Sequence, residues 1–237
     1  MNAREGKFTL YANEWMALER DSQPALQAGR SGVCIGLCLG ASAMDSREGM
    51  VSLYPGHGLA PIKDLRVAFR LWRAGAQKNP DEGMREPSRA LLVHMNHLQS
   101  HISARLQQCP GHSLAQRQHV LTRLQRARMY LEGNADRVVR VSELAERANL
   151  SYWHFSRAFK SVYGESPQAY GVKFRLDVAA RLLCKSELGI GEIAELCGFE
   201  NPSSFARAFR AHFGTCARGY RLRSTLPSAN SAHIYRA

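Results

Sequence analysis

The sequence between Val141 and Tyr220 contains the same segment twice. The first copy runs from Val141 to Gly164 and the second from Ile190 to Gly214, with matching residues first 49 and then 50 positions apart. Self-similarity at a fixed period indicates a duplicated supersecondary unit, so the chain is expected to fold around two related structures. The residues shared by the copies and by the segments that follow them are Glu143/Glu192, Ala145/Ala194, Glu146/Glu195, Phe155/Phe205, Arg157/Arg207, Ala158/Ala208, Phe159/Phe209, Gly164/Gly214 and Tyr170/Tyr220.

Each copy has the pattern of a short helix, a tight turn and a second helix, which is the layout of a helix-turn-helix. The turns carry Asn149 and Gly198, the residue types that most readily adopt a positive φ. The second helices follow Ser151 and Asn201, both of which favour the N-cap position. The apolar positions predicted to point inward from the first helices are Leu144, Ala145 and Ala148 in one copy and Ile193, Ala194 and Cys197 in the other.

A helical wheel separates the second helix of each copy into two faces. The predicted buried faces are Phe155, Ala158, Phe159 and Val162 in the first copy and Phe205, Ala208, Phe209 and Phe213 in the second. The predicted outward faces contain Trp153, Ser156, Arg157 and Lys160, and then Ser203, Arg207 and Arg210. An exposed tryptophan among cations is typical of a surface that contacts a partner, and nucleic acid is the expected one. The alternative is a solvated helix face, which the repetition of the cations at matching positions disfavours.

These motifs resemble the AraC/XylS transcription regulators. The second copy has Ile193-Ala194 before the turn, Gly198-Phe199 at the turn, and Tyr220-Arg221 near its end. It departs from the family pattern at Ala217, where a proline is expected, and this puts in doubt the start of the last short helix. The resemblance covers about residues 120 to 223, including a connecting helix over about 167–184.

The resemblance implies a sequence-specific transcription regulator, with activation favoured over repression, that reads two adjacent major-groove segments with two recognition helices. Trp153, Ser156 and Arg157 would face bases in the first segment, and Ser203, Ser204 and Arg207 in the second, with Lys160 and Arg210 nearer to phosphate. The implied partners are double-stranded DNA, RNA polymerase, a small-molecule effector and a second copy of the chain. The alternatives are an architectural DNA-binding protein without an effector, or a DNA-modifying enzyme that uses the same DNA-binding module.

Charge and cysteine content agree with a polyanionic partner and a reducing compartment. The net charge is +12, and residues 112–226 alone carry 18 Lys and Arg against 10 Asp and Glu. Six cysteines show no disulfide spacing, and the longest apolar run, Gly32 to Ala43, is too short to span a membrane. We therefore expect a cytoplasmic, nucleoid-associated protein. Because the sequence has no glycine-rich phosphate loop, no nucleophile elbow and no metal-ligand motif with standard spacing, we also expect that it is not an enzyme and has no catalytic residues, cofactor or metal.

The first part of the chain is predicted to be different in class, so the predicted fold class is α+β. Short strands are expected at Phe8–Leu10, Val33–Leu39 and Met50–Tyr54, in a small β-rich domain. The residues Tyr54-Pro55-Gly56-His57-Gly58 resemble the turn before the last strands of the cupin-type sensor domain that many members of the AraC/XylS family carry, which implies a complete or truncated cupin barrel. The predicted domains are a sensor or dimerisation domain over 1–87, a helical connector over 88–111, a DNA-binding domain over 112–226 with seven helices, and a disordered tail over 227–237.

The connector carries an apolar stripe that is a candidate dimer surface. The residues of this stripe recur at spacings of 4, 3, 4 and 4 along one predicted helix, which should stop at Pro110. The residues of the stripe that are expected to form the dimer surface are Leu91, Met95, Leu98 and Ile102. The alternative is that the stripe packs only within its own domain. His94, His97 and His101 lie beside the stripe and are expected to point the same way without binding a metal, and Cys34 and Cys38 are interpreted as small buried hydrophobic residues.

Overall fold

The structure is a computed structural model that describes residues 1–27, 29, 34, 36, 53–76 and 85–224. The chain divides into two compact units, residues 1–129 and 130–237. The predicted tail, Cys38 and most of the predicted strands Val33–Leu39 and Met50–Tyr54 lie outside the described residues. The predicted domain boundaries near residues 87 and 111 stay predictions.

The first unit contains two small antiparallel sheets of two strands each. Strand β1 (Asn2–Ala3) pairs with β2 (Gly6–Lys7), and β3 (Glu14–Ala17) pairs with β4 (Gly56–Leu59). The prediction of a strand at Phe8–Leu10 is wrong, because the pairing ends at Lys7. The buried Phe8 side chain, 8% exposed, accounts for the apolar signal in that stretch without a strand.

Helices make up most of the rest of the described first unit. They are α1 (Ile62–Ala76), α2 (Arg85–Leu98) and α3 (Ser100–Ser103), followed by a 3-10 turn at Ala104–Gln108. His94 Nε2 lies 2.8 Å from the carbonyl oxygen of Asp64, which joins the second half of α2 to the first turn of α1. Helix α1 falls inside the segment predicted to be β-rich, so that expectation holds only for the short sheets.

The predicted continuous helix from Ser88 to Pro110 is broken at Gln99. This side chain is fully buried, and its amide pairs with the backbone of Tyr54: Tyr54 N donates to Gln99 Oε1 at 2.9 Å, and Gln99 Nε2 donates to Tyr54 O at 2.8 Å. Both polar groups of a buried backbone position are thereby satisfied. The break also means that His101 does not continue the line of the other two histidines, and it stacks on Trp15 with ring centroids 6.0 Å apart.

The apolar stripe proposed for dimerisation is largely used within the first unit. Leu91, Leu98 and Ile102 are 6%, 8% and 0% exposed, and Met95 is half-buried. The stripe is therefore not the unpaired surface that the sequence suggests, and dimerisation through these four side chains loses its support. Among the described residues of this region, exposed large apolar side chains include Val93 on α2 and Ile62, Phe69 and Trp72 on α1.

The second unit is helical throughout its described residues. Helix α4 (Leu114–Gly133) continues across the division between the units, and its last turn belongs to the second unit. It is followed by α5 (Val141–Arg147), α6 (Tyr152–Tyr163), α7 (Pro167–Lys185), α8 (Ile190–Leu196), α9 (Pro202–Phe213) and α10 (Ala217–Ser224). The pairs α5–α6 and α8–α9 are the two copies predicted from the repeat, and α7 connects them.

Turn and cap residues explain where these helices begin and end. Asn149 and Gly198 have φ values of 49° and 68° at the two turns, as predicted. Ser151 Oγ accepts a hydrogen bond from His154 N at 3.4 Å, and Asn201 Oδ1 accepts one from Ser204 N at 2.8 Å. Both second helices therefore start at the predicted capping residues.

Helix α10 forms despite the missing proline at Ala217. Cys216 Sγ accepts a hydrogen bond from Gly219 N at 3.4 Å, which satisfies a donor in the first turn of the helix. At the matching place in the first copy, Ser166 Oγ accepts from Ala169 N at 3.2 Å at the start of α7. A side-chain cap is thus present at the start of the helix in both copies, and the second copy lacks only the proline.

The core of the second copy forms between its two helices and the connecting helix. Ile193 and Cys197 from α8 and Phe209 from α9 are fully buried there. The buried residues that α7 adds to this core are Leu176, Ala179, Ala180 and Leu183. The inward residues predicted for α5 and α6 are also buried. Of those predicted for α9, Phe205 and Phe209 are buried, and Ala208 and Phe213 are half-buried against the core.

Candidate nucleic-acid interface

The outward face of α6 carries the first group of predicted DNA-contact residues. Trp153 is 76% exposed, Arg157 and Lys160 are exposed, and Ser156 is half-buried. The opposite face is anchored by Phe155, which is fully buried. Because the buried face fixes the rotation of the helix about its axis, the outward side chains have a defined direction.

Helix α9 presents the second group in the same way. Ser203, Arg207 and Arg210 are exposed, and Ser204 is half-buried. Each helix thus places an arginine on its outward face and a second cation three residues later, about 60° around the axis. Four cations at matching positions, on a chain of net charge +12, form two basic faces suited to a polyanion.

The first basic face has an aromatic component that sequence reasoning only half identified. Tyr152 is 46% exposed and packs edge-on against Trp153, with ring centroids 5.9 Å apart and an interplanar angle of 87°. The signal was present in the sequence, because two adjacent aromatic residues follow the capping residue Ser151. The second copy has Pro202 and Ser203 at these positions, so the two faces differ in chemistry although their cations match.

Arg175 on α7 is a further functional residue that the sequence indicated only as part of the connecting helix. It is 8% exposed, and its Nη1 donates to the carbonyl oxygen of Gly198 at 2.6 Å and to that of Cys197 at 3.4 Å. Its guanidinium also lies over the Phe199 ring, 4.7 Å from the centroid. Arg175 therefore holds the turn of the second helix-turn-helix rather than facing outward.

Burial affects the titratable groups around this turn. It lowers the pKa of Arg175 from its ordinary value and raises the pKa of the Cys197 thiol to about 11. A thiol with so high a pKa carries almost no thiolate at neutral pH, so Cys197 acts as a packing residue. The conclusion agrees with its position inside the core of the second copy.

The other candidate sites considered from the sequence do not converge in the described structure. His94 and His97 have ring centroids 6.4 Å apart, and His101 contacts Trp15 instead. Within residues 1–27, 53–76 and 85–224, and the few others described, no group of three or more His, Cys, Asp or Glu could hold a metal ion. Cys34 is exposed rather than buried, which corrects the expectation for that residue. None of the described helices is long and apolar enough to cross a membrane.

Comparison with known proteins places relatives on the helical half of the chain. A family described as "Helix-turn-helix domain" matches residues 144–223. "Probable transcriptional regulator LumQ" from Photobacterium leiognathi is 35% identical over 91 residues, which are 38% of this chain and 37% of LumQ. "Probable transcription factor PqrA" from Proteus vulgaris is 32% identical over 92 residues, which are 39% of this chain and 75% of PqrA. The chain thus spans well under half of LumQ but three quarters of PqrA.

Solved structures also match part of the chain. One is the DNA-binding domain of AdpA, a global transcriptional factor, in complex with a target DNA. It is 30% identical, with a TM-score of 0.41, and the match covers 42% of this chain and 90% of the AdpA chain.

Proposed function

The chain belongs to the AraC family of DNA-binding transcription regulators, and we propose that it reads two adjacent major-groove segments of one DNA site, the first with α6 and the second with α9. The observation that carries this proposal is the pairing of the exposed cations at matching positions, Arg157 with Arg207 and Lys160 with Arg210. A protein that used only one copy would have no need of a basic outward face on both.

The proposed roles follow from side-chain chemistry. A guanidinium is planar and can donate two parallel hydrogen bonds to a guanine edge, which suits Arg157 and Arg207 to direct readout. Lys160 and Arg210 lie one turn further along and are assigned to phosphate. The remaining base contacts are assigned to exposed or half-buried residues near the helix starts, namely Trp153 and Ser156 in α6 and Ser203 and Ser204 in α9.

The length of the connecting helix supports reading of adjacent groove segments. Helix α7 has 19 residues and is therefore about 28 Å long at 1.5 Å per residue. Successive major-groove segments on one face of a duplex repeat at about 34 Å. A stiff connector of this length is compatible with recognition helices that enter neighbouring segments of the same face.

Selection of binding sites from a randomised pool of duplexes tests the proposal with the full chain. We expect an enriched motif with two information-rich segments whose centres lie about 10 base pairs apart. A single short segment would contradict the use of both helices, and the absence of any enriched sequence would favour an architectural DNA-binding protein.

We further propose that the chain activates transcription by contacting RNA polymerase through α8. This short helix exposes Glu192, Glu195 and Leu196, the last at 53%. Carboxylates repel phosphate, so an acidic face on a basic chain suits a protein partner better than DNA. Glu195→Lys should reduce activation by purified RNA polymerase without loss of DNA affinity, whereas Glu187→Lys, which lies before the helix, should not. Repression by the wild-type chain in the same assay would refute activation.

Sensing and dimerisation are proposed for the first part of the chain, residues 1–87 and 88–111, with 112–226 as the DNA-binding domain. A small-molecule effector and a cupin-like origin of this part are expectations from the family resemblance. For a homodimer, support now comes from the exposed α1 residues Phe69 and Trp72, whose rings lie 6.0 Å apart. Sedimentation should show a dimer that Trp72→Glu dissociates, and a wild-type monomer would exclude it.

A further inference from the structure

The turn of the second helix-turn-helix touches the backbone segment that leads into the first. A Cβ atom added at Gly198 would lie 2.8 Å from both Cα and N of Arg137 and 2.9 Å from the carbonyl carbon of Asp136. Such distances are shorter than van der Waals contact, so two stretches of backbone meet here with no room for a side chain. Asp136 and Arg137 lie in the connection between α4 and α5, the latter being the first helix of the first copy.

Glycine at this turn is required for more than its φ value. The matching residue in the first copy is Asn149, which has a φ of 49° and carries a full side chain. Gly198 has a φ of 68°, which asparagine could also adopt. The difference between the copies is therefore explained by the neighbouring backbone at Arg137 and not by the turn alone.

The first-copy side of this contact is anchored by the Arg137 side chain. Its Nη2 donates to Glu143 Oε1 at 2.8 Å and its Nη1 to Glu143 Oε2 at 3.2 Å, which makes a paired ion contact with α5. Nη2 also donates to Tyr130 Oη at 2.7 Å, in the last turn of α4. Movement of residue 137 would therefore break bonds to both α4 and α5.

The second-copy side is anchored by Arg175. Its bonds to the carbonyl oxygens of Cys197 and Gly198 fasten the turn to α7 from the core side, while Arg137 meets the turn at Gly198. These bonds also satisfy the guanidinium in a place that is 8% exposed. A continuous set of contacts thus runs from α5 through Arg137, Gly198 and Arg175 to α7.

We propose that this set, which we call the turn contact (Arg137, Glu143, Gly198 and Arg175), fixes the separation of the two recognition helices, so that the chain accepts DNA sites of one spacing. The proposal rests on the proposed function, in which α6 and α9 read one site together. Helix α7 joins the two copies at one place only. By itself it would not prevent the copies from rotating relative to each other about that joint. The turn contact adds a second joint, which restrains rotation about the first.

Rigid coupling has a consequence for DNA recognition. If the separation is fixed, a site with inserted base pairs can engage only one helix at a time, and the gain from simultaneous binding is lost. If the copies were loosely joined, the second helix could follow its displaced segment at little cost. The loss of affinity caused by a changed spacing therefore measures the effect of the turn contact. The affinity for the best site measures the combined contribution of both recognition helices.

Matched glycine variants test the contact without DNA. Gly198→Asn places a Cβ against Arg137, whereas Gly214→Asn imposes the same kind of backbone strain at a φ of 70° with nothing within 4 Å of the added Cβ. Hydrogen exchange of the full chain should show amides of α5, in the other copy, exchanging about tenfold faster in Gly198→Asn than in Gly214→Asn. Equal α5 exchange in the two folded variants would overturn the proposal.

A second pair of matched variants tests the same contact if Gly198→Asn fails to fold. Arg175→Met removes the bonds to the turn, and Lys173→Met removes a cation of the same helix that pairs instead with Glu165 at 3.5 Å. Only Arg175→Met should speed exchange in α5. A folded Arg175→Met with wild-type exchange in α5 would likewise overturn the proposal.

The spacing readout uses the duplex that the wild-type chain selects from the randomised pool, with two base pairs inserted between its segments. The insertion should weaken binding of the wild type and of both control variants on the order of 100-fold, and that of Gly198→Asn and Arg175→Met by about tenfold or less. An equal insertion penalty in all five proteins would refute a role in spacing. If selection yields no two-part motif, the proposed function fails, while the exchange experiment still decides whether the turn contact couples the copies.

Discussion

Phe159 and Phe209, fifty residues apart, have the same surroundings in the two copies. Both are fully buried, and each meets the tyrosine that follows its helix edge-on, Tyr170 or Tyr220, with ring centroids 5.6 Å apart in both cases. The interplanar angles are 81° and 87°. The duplication is thus preserved in side-chain packing as well as in sequence.

Equal surroundings predict equal energetic importance. Phe159→Ala and Phe209→Ala should each lower the free energy of unfolding by about 3 to 5 kcal/mol, because each leaves a large cavity in a closed aromatic cluster. Trp153→Ala, at an exposed position, should change it by no more than about 0.5 kcal/mol. Urea unfolding followed by circular dichroism measures all three. A cost at Phe209 far below that at Phe159 would show that the copies are not energetically equivalent.

Cysteine reactivity should follow burial. The pKa values of Cys109 and Cys197 are both raised to about 11 by burial, whereas Cys184 and Cys216 are exposed. Iodoacetamide at pH 8, read out by mass spectrometry of peptides, should label the exposed pair in the native chain and the buried pair only after denaturation. Labelling of native Cys197 at the rate of Cys184 would mean that the second turn opens readily.

Acid should weaken the ion pair between Glu143 and Arg137. The hydrogen bonds from Arg137 lower the pKa of Glu143, although burial opposes the shift. A carboxyl with a lowered folded-state pKa stabilises the fold above its unfolded pKa, about 4.3, and that contribution is lost as pH falls through the folded value. Glu143→Gln should therefore cost on the order of 0.5 to 1 kcal/mol at pH 7 and progressively less below about pH 4.

Chemical unfolding of wild type and variant at several pH values measures this difference. Arg137→Met should remove the same acid dependence, since it removes the donor that shifts the pKa. A cost of Glu143→Gln that stays constant between pH 7 and pH 3 would show that the pair does not stabilise the fold through ionisation.

Local patterns predicted the second unit well. Helix periodicity, the capping residues Ser151 and Asn201, and the turn residues Asn149 and Gly198 act over a few positions, so they are readable from sequence. The buried faces of α6 and α9 follow from the same periodicity. In the first unit, α1 had a comparable signal that was missed, since Ile62, Leu65, Phe69 and Trp72 recur at spacings of 3, 4 and 3.

Contacts between distant residues were not predictable in this way. The apolar stripe could not show that Leu98 and Ile102 would be covered, or that Gln99 would leave the helix to bind Tyr54, 45 residues earlier. Arg175 looked like any cation on a helix until its partners at Cys197 and Gly198 were known. The sequence of a single chain carries no local mark of such pairings, because they depend on how the elements pack.

The central claim is that α6 and α9 read bases while neighbouring cations hold phosphate. Binding-site selection and salt titrations with Arg157→Ala, Arg207→Ala, Lys160→Ala and Arg210→Ala test it directly. Loss of Arg157 or Arg207 should cost about 1 to 3 kcal/mol on the selected site and relax preference only within the segment read by that helix. Loss of Lys160 or Arg210 should weaken binding to all sequences alike and lower the salt slope by about one. An unchanged selected motif for both Arg157→Ala and Arg207→Ala would contradict the account.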